Sequence, residues 1–301
     1  MPSLSCYIRQ GCTPFYQNNS NMKTRLLCAC LCCTLAACHN VEKKAEVQLA
    51  AARTAYEQGD LNTAKMKIDS IKILYPDAFD ARRAGIALMQ DIEIEEQTNT
   101  VAYIDSVLAI MVVRLDSLRP HFVLEKDTAY QEVGRYLVPS QVIERNMHRS
   151  YLRFQTDETG KMSMTSIYCG SRNIHHTAVE VSAADGSFAQ TPESKDSYET
   201  TNQGEHIEKA DYKLGEDGGV IGFARLNKGK AIRLKFIGEN SFQTILSKDD
   251  TQAAADVYEL SSLLTTINTL KQNRAEALRK LEFVQKNKAR RLSRDSILNK
   301  G

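Results

Sequence analysis

The sequence predicts an α+β protein, with helical segments at both ends of the chain and a small antiparallel β domain inserted between them. Three observations predict it. Glycine is scarce in residues 41–119, which hold only Gly59 and Gly85, and absent from 239–300, whereas ten of the fifteen glycines fall between Gly160 and Gly238. Each glycine-poor stretch carries an apolar heptad seam, the mark of a long helix. The glycine-rich stretch holds short runs of β-forming residues separated by turn residues.

The chain begins, however, with a segment unlike either class. Seven of its eight cysteines lie at or before residue 38. Met22-Lys23-Thr24-Arg25 is a short basic start, and Leu26 to Thr34 is an apolar run too short to span a bilayer. Leu35-Ala36-Ala37-Cys38 closes it with small residues before a cysteine. This order of parts resembles the lipobox signal peptide of bacterial lipoproteins. The resemblance implies that residues 1–37 are removed, that acyl chains such as palmitate are attached to Cys38, and that His39 at the following position favours the outer membrane over inner-membrane retention. Several acyl chains on one residue anchor stably, at about 0.8 kcal/mol per buried methylene. Cysteines suit a discarded apolar segment as small hydrophobes. Residues 1–21 precede the basic start, so translation is expected to begin at Met22.

The first helical unit of the remaining chain is Leu49 to Pro76. Ala52, Gly59, Leu61, Ala64, Ile68 and Pro76 stand at the small, turn, packing and terminal positions of a tetratricopeptide helical hairpin, which the segment resembles. Gln48 and Ile71 depart from that pattern, and only one unit is visible. Such hairpins bury their faces on stacked neighbours, so this one is expected to dock on the rest of the chain or on a partner. A long helix follows, from about Ala78 to Leu118. Val101, Ile104, Leu108, Met111, Leu115 and Leu118 form its seam at alternating spacings of three and four. Pro120 and Pro139 then punctuate the entry to the β domain, 120–249.

Within that domain Tyr151–Asp157 and Met162–Tyr168 flank the hairpin turn Glu158-Thr159-Gly160-Lys161. Thr177–Ala183 follows as a strand. Val220–Leu226 and Ala231–Gly238 are expected to form a further hairpin across Asn227-Lys228-Gly229-Lys230, and Ser241–Leu246 to follow a tight turn at Gly238. That makes a meander of five or six strands, with Gln190 to Gly204 as a long polar loop. The last segment, 250–301, is read as a helix carrying the second seam (Leu263, Ile267, Leu270, Arg274, Ala277, Leu281 and Val284) and a basic tail from Lys286 to Lys300. The two seams are expected to pair antiparallel as a coiled-coil stalk, with pairing to other chains, and hence an oligomer, as the alternative; Arg274 inside one seam counts against either.

Composition excludes more than it names. At 42% hydrophobic and 25% charged the chain is globular material. Its formal charge of +2 becomes −1 once residues 1–37 are set aside, with 36 basic against 37 acidic residues, so no global pull toward nucleic acid exists. Gly215-Glu216-Asp217-Gly218-Gly219 lacks the Gly-Lys-Ser/Thr ending of a phosphate loop and precedes an expected strand. His175 and His176 lie near Cys169, with His148 and His206 further off. Adjacent strand residues point to opposite faces, so no metal site is expected. No orienting motif marks Cys169 as a nucleophile, and no catalytic residue, cofactor or metal ligand is assigned.

The function expected from these readings is that of a lipid-anchored envelope protein with a structural, adaptor or scaffolding role. It would be held on the outer membrane through Cys38 and would engage another envelope protein, with no enzymatic activity and no nucleic acid. The alternative is a ligand-binding module in which the β domain receives a glycan, peptide or hydrophobic small molecule, in a cleft lined by Tyr151, Phe154, Tyr168 and Phe223. The address is testable by itself. In cells fed radioactive palmitate, Cys38→Ala is expected to abolish labelling and to release the protein from the membrane fraction.

Overall fold

The computed structural model describes residues 41–127, 129–202 and 204–298. Cys38, the segment before it and the end of the basic tail lie outside the described residues. The fold is α+β, with helices at both ends of the described chain and antiparallel sheets between them. It divides into two compact units. One comprises residues up to Glu96 together with those from Leu281 onward, and the other runs from Gln97 to Lys280.

The first unit is helical. Helix α1 (41–57) turns at Gly59, whose φ of 77° suits a residue without a side chain, into α2 (Leu61–Leu74). Asp60 caps α2 by accepting from the Thr63 amide at 3.0 Å. Tyr75 and Pro76 end it, and α3 (Phe79–Leu118) begins. Ala52 and Ala64 are fully buried, as a close helix–helix approach requires, and Ala78, just before α3, with Ala81, Leu88 and Ile92 of α3 complete the same core. The hairpin therefore docks on the chain's own next helix. The final turns of α5 (Lys248–Leu298) belong here too, with Lys288 paired to Asp91 at 2.5 Å and Arg291 donating to Gln90 at 2.9 Å.

In the second unit the remaining parts of α3 and α5 pair along their seams. Ile104 and Leu115 of α3 are buried, as are Leu263, Ile267 and Ala277 of α5. Asp105 pairs with Arg274 and Arg114 with Glu259, so residue numbers fall on one helix as they rise on the other, and the pairing is antiparallel. Arg274 at its seam position is explained by that contact. Its guanidinium holds the Asp105 carboxyl below the usual range through two hydrogen bonds, of 2.5 and 3.2 Å.

The β body is two sheets rather than one meander. Strands β1 (Val123–Glu125), β2 (Arg135–Leu137), β3 (Tyr151–Asp157), β4 (Met162–Gly170), β8 (Glu205–Lys213) and β7 (Ser197–Asn202) form one sheet in the order β1-β2-β3-β4-β8-β7. Strands β10 (Ser241–Leu246), β9 (Ile232–Ile237), β5 (Ala178–Ser182) and β6 (Phe188–Gln190) form the other in the order β10-β9-β5-β6. Their shared core takes Leu152, Phe154, Met164 and Tyr168 from the first sheet and Val179, Leu234 and Phe236 from the second.

Two expectations need correction. Val220–Leu226 is a helix, α4, not a strand. A short apolar run carries no decisive period, and here Val220, Ile221 and Ala224 fill the core at helical spacing while the Asp217 carboxylate accepts from the Ile221 amide at 2.7 Å. Nor is Gln190 to Gly204 a loop throughout. Its second half is β7, paired from Ser197↔Ala210 to Asn202↔Glu205, with Tyr198, Thr200 and Thr201 supplying β-forming residues in an otherwise polar stretch.

The β3–β4 turn is fastened to α5. The Gly160 carbonyl accepts from the hydroxyls of Ser261, at 2.7 Å, and Thr265, at 3.1 Å. A Cβ on Gly160 would lie 2.4 Å from Thr265 Oγ1, and φ there is 94°. Gly160→Ala is expected to cost about 3 kcal/mol or more, from overpacking and backbone strain together, whereas Ser261→Ala costs about 1 kcal/mol. Urea unfolding midpoints measure both.

Candidate functional site

Alternation along β3, β4 and β8 sends one set of side chains into the core and the other to the opposite face of the six-stranded sheet. On that face the register sets Gln155 opposite Ser163 and Arg153 opposite Thr165, with Asp211 and Lys213 next across the ladder. Gln155, Ser163, Asp211 and Lys213 line a cleft of about 760 Å³ that also takes Arg135 and Asp157, and residues 192–196 contribute to its wall. Gln155 is 2% exposed, and its carbonyl Oε1 is buried with no hydrogen-bond partner among the described residues. Its amide nitrogen reaches Ser163 Oγ, at 3.4 Å. On the same face Arg153 donates to Glu125 at 2.5 Å while its Nε is buried and unpartnered. A buried acceptor and a buried donor are thus left over at neighbouring positions. Each such group costs about 1–3 kcal/mol unless something satisfies it.

The cleft walls carry both signs of charge, with Arg135, Lys161, Lys195 and Lys213 facing Asp157, Asp211 and Glu216 among others. Among the described residues no aromatic ring besides that of the buried Tyr212 lines it. The aromatic cleft considered from the sequence does not form. Phe154 and Tyr168 are inside the closed core, Phe223 packs against it, and Tyr151 is buried with the Arg149 guanidinium 5.2 Å from its ring centre. Lys195, Lys213 and Gln155 were missed by sequence reasoning because strand register brings Gln155 and Lys213 together and the β6–β7 connection carries Lys195 to them.

The histidines sort differently. Residues 171–177 are not a strand, so His175 and His176 are not forced to opposite faces. The buried Glu208 carboxylate gathers this segment. Its Oε1 accepts from the amides of Ile174, at 2.6 Å, and His175, at 3.0 Å, and its Oε2 accepts from the amide of His176, at 2.8 Å, and its Nδ1, at 2.9 Å. Burial alone would raise the Glu208 carboxyl, but the donors hold it below its ordinary value. Burial lowers His176 below its usual 6.5 against the pull of Glu208, so its ring is neutral with the proton on Nδ1, leaving Nε2 to accept from Ser166 Oγ at 2.8 Å. Ser166, His176 and Glu208 therefore form a relay of the kind that activates a serine. All three are buried at 2% exposure or less. The relay sits inside the sandwich core, closed off from solvent.

Ligand atoms of His175, Glu199 and Glu208 lie within 4.8 Å of one another. Four donors already fill the lone pairs of Glu208, which reduces this cluster to an exposed His175–Glu199 pair at 2.9 Å. Cys169 is not an activated thiol. Burial and the hydrogen-bonded Glu205 carboxylate push it up to about 12, the reverse of what a nucleophile needs. Glu205 also pairs with His148 at 2.5 Å, which puts a carboxylate between thiol and imidazole. His206 bonds Thr201 at 3.2 Å. The Gly215–Gly219 turn does follow a strand and open a helix, contrary to the expectation, but the Asp217 carboxylate already occupies that helix end.

The Glu208 network makes acid sensitivity predictable. Because the folded His176 binds a proton less readily than its unfolded counterpart, the unfolded chain holds more protons as pH drops through 6.5, and stability falls there. A further loss follows below 4.5 as Glu208 protonates. The exposed His175–Glu199 pair acts in the opposite direction and contributes little. Thermal melts are expected to decline from about pH 8 to 5, with the slope flattened in His176→Asn. Glu208→Gln, which cannot accept at its amide nitrogen, is expected to cost about 3–5 kcal/mol at neutral pH.

Compared with protein-family models, curated proteins and solved structures, the chain matches none, so its functional reading rests on its own residues.

Proposed function

We propose that this chain is a lipid-anchored cell-envelope protein with an adaptor role, and that its β body engages another envelope component through the cleft over the six-stranded sheet. The role is one of holding, not of catalysis. The anchoring half of this reading is supported by the Met22–Cys38 segment. The engaging half is supported by one observation above the others, the buried and unpartnered Gln155 carbonyl in the cleft. That oxygen requires an N–H or O–H donor, and walls bearing both charge signs suit a peptide segment that carries both. The ligand-binding alternative survives in this polar form. An aromatic surface on which a glycan would stack is not part of the cleft.

A photoreactive amino acid at position 195, on the cleft wall, tests the reading in intact cells. Crosslinks to a second envelope protein are expected, weakened about ten-fold or more by Lys213→Glu, because a like-charge mismatch in a desolvated contact costs more than about 1.4 kcal/mol. Crosslinks to copies of the chain alone would sink the adaptor role.

A further inference from the structure

Within the first unit, several chain ends meet at one pole. The Ala81 amide, at the start of α3, donates to the Glu42 carboxylate at 2.7 Å, so α1 and α3 begin side by side. Helix α2 ends at Leu74, only five residues before α3 starts at Phe79. From its contacts with Gln90 and Asp91, α5 runs antiparallel to α3 toward the same pole and continues seven residues beyond Arg291, roughly 10 Å at 1.5 Å per residue. The starts of α1 and α3 and the ends of α2 and α5 are therefore neighbours.

This pole has an unusual surface. Ile73 is 75% exposed, Leu74 62% and Phe79 70%, and Ile297 on the last turns of α5 is also exposed. Around them stand the exposed cations Lys43, Lys44, Lys72 and Arg83, with Arg294 further along α5, none of them in an ion pair among the described residues. Exposed carboxylates at Glu46, Asp77 and Asp80 reduce the net charge without reversing it. Large apolar side chains set among Lys and Arg are the composition of a surface that lies in a membrane interface.

We propose that this pole docks on an anionic lipid surface, with Ile73, Leu74 and Phe79 entering the headgroup boundary and the surrounding cations meeting lipid phosphates. The proposal rests on the anchored reading above. Cys38 precedes Val41 by three residues, a tether reaching at most about 11 Å. Acyl chains there would hold this pole, and no other part of the first unit, against the bilayer. Each cation near an anionic surface strengthens binding about five-fold.

The chain contains no tryptophan, so Phe79→Trp introduces a single reporter at an exposed site where folding tolerates it. In the acylated protein on phosphatidylglycerol-rich vesicles with brominated acyl chains, its emission is expected to shift to the blue and to be quenched by roughly half or more, as for side chains about 5–10 Å into the boundary. Gln58→Trp, an exposed position at the α1–α2 turn, the opposite end of the same helical hairpin, is expected to stay water-like. Lys44→Glu with Lys72→Glu is expected to relieve the quenching. Water-like emission at position 79 in palmitate-labelled protein would overturn the docking and leave the anchor standing. Quenching at 79 without palmitate on Cys38 would remove the anchor and uphold the docking. Equal quenching at 79 and 58, or a blue shift that needs native envelopes and is missing on protein-free vesicles, would also overturn the proposal.

Discussion

One desolvated carboxylate governs the β body. Glu208 sits on β8, between β4 and β7, and faces the core, where a bare charge is too costly to keep. Three consecutive backbone amides and an imidazole N–H surround it. Those donors belong to the segment that leaves β4 in the six-stranded sheet and enters β5 in the four-stranded one. Holding it fixes where the chain changes sheets. The strain this imposes is visible at His175, which adopts a φ of 54° although it is not glycine. His176 then carries the constraint inward. Its ring meets the Phe236 ring edge-on at 5.1 Å and takes the Ser166 hydroxyl, so that both sheets are tied to the same imidazole.

That constraint also decides where function can reside. A serine, an imidazole and a carboxylate stand in hydrogen-bonded sequence, yet no substrate reaches a group enclosed by Tyr168, Phe236 and their neighbours. Geometry that elsewhere activates an oxygen here satisfies three polar groups that the sandwich had to bury. The reverse holds on the opposite face of the six-stranded sheet. There Gln155 Oε1 and Arg153 Nε are buried without a partner among the described residues, and folding alone gives no reason to tolerate them. Unsatisfied polar groups beside an open cleft are where a partner adds most, because it removes a penalty as well as making a contact.

Local patterns in the sequence located the elements whose partners are near or whose period is long. The Gly59-Asp60 turn, the 158–161 hairpin, strand β9 with its alternating Ile232, Leu234 and Phe236, and the two seams were all legible. What was not legible depended on distance along the chain. Val220–Leu226 looks like a strand until Asp217 caps it and the core accepts Ala224. Strand β7 looks like a loop because an edge strand exposed on both sides has no apolar alternation to display. The split into two sheets turns on contacts between residues more than thirty positions apart, such as Glu208 with Ile174 to His176. The cleft was hidden for the same reason. Gln155, Lys195 and Lys213 come from separate elements, and no spacing rule links them.

The residues that break the chain's hydrophobic pattern are also the ones that join distant parts of it. Arg274 interrupts a seam and finds Asp105, 169 positions away, beside the opposing seam. Gln141 is buried at the end of the 3₁₀ turn Pro139–Gln141, where its side-chain carbonyl takes the Phe154 amide and its side-chain amide meets Asp250 in the first turn of α5. Asp250 in turn completes a reciprocal cap with Ser247 and pairs with Arg149. Glu208 does the same for the two sheets. Apolar periodicity makes each element but leaves its placement degenerate, since one greasy face packs on another nearly as well in several registers. A buried charge has few acceptable positions, because only its own donors cancel the desolvation. In this protein the periodic residues therefore build the helices and strands, and the exceptions to the period choose their arrangement.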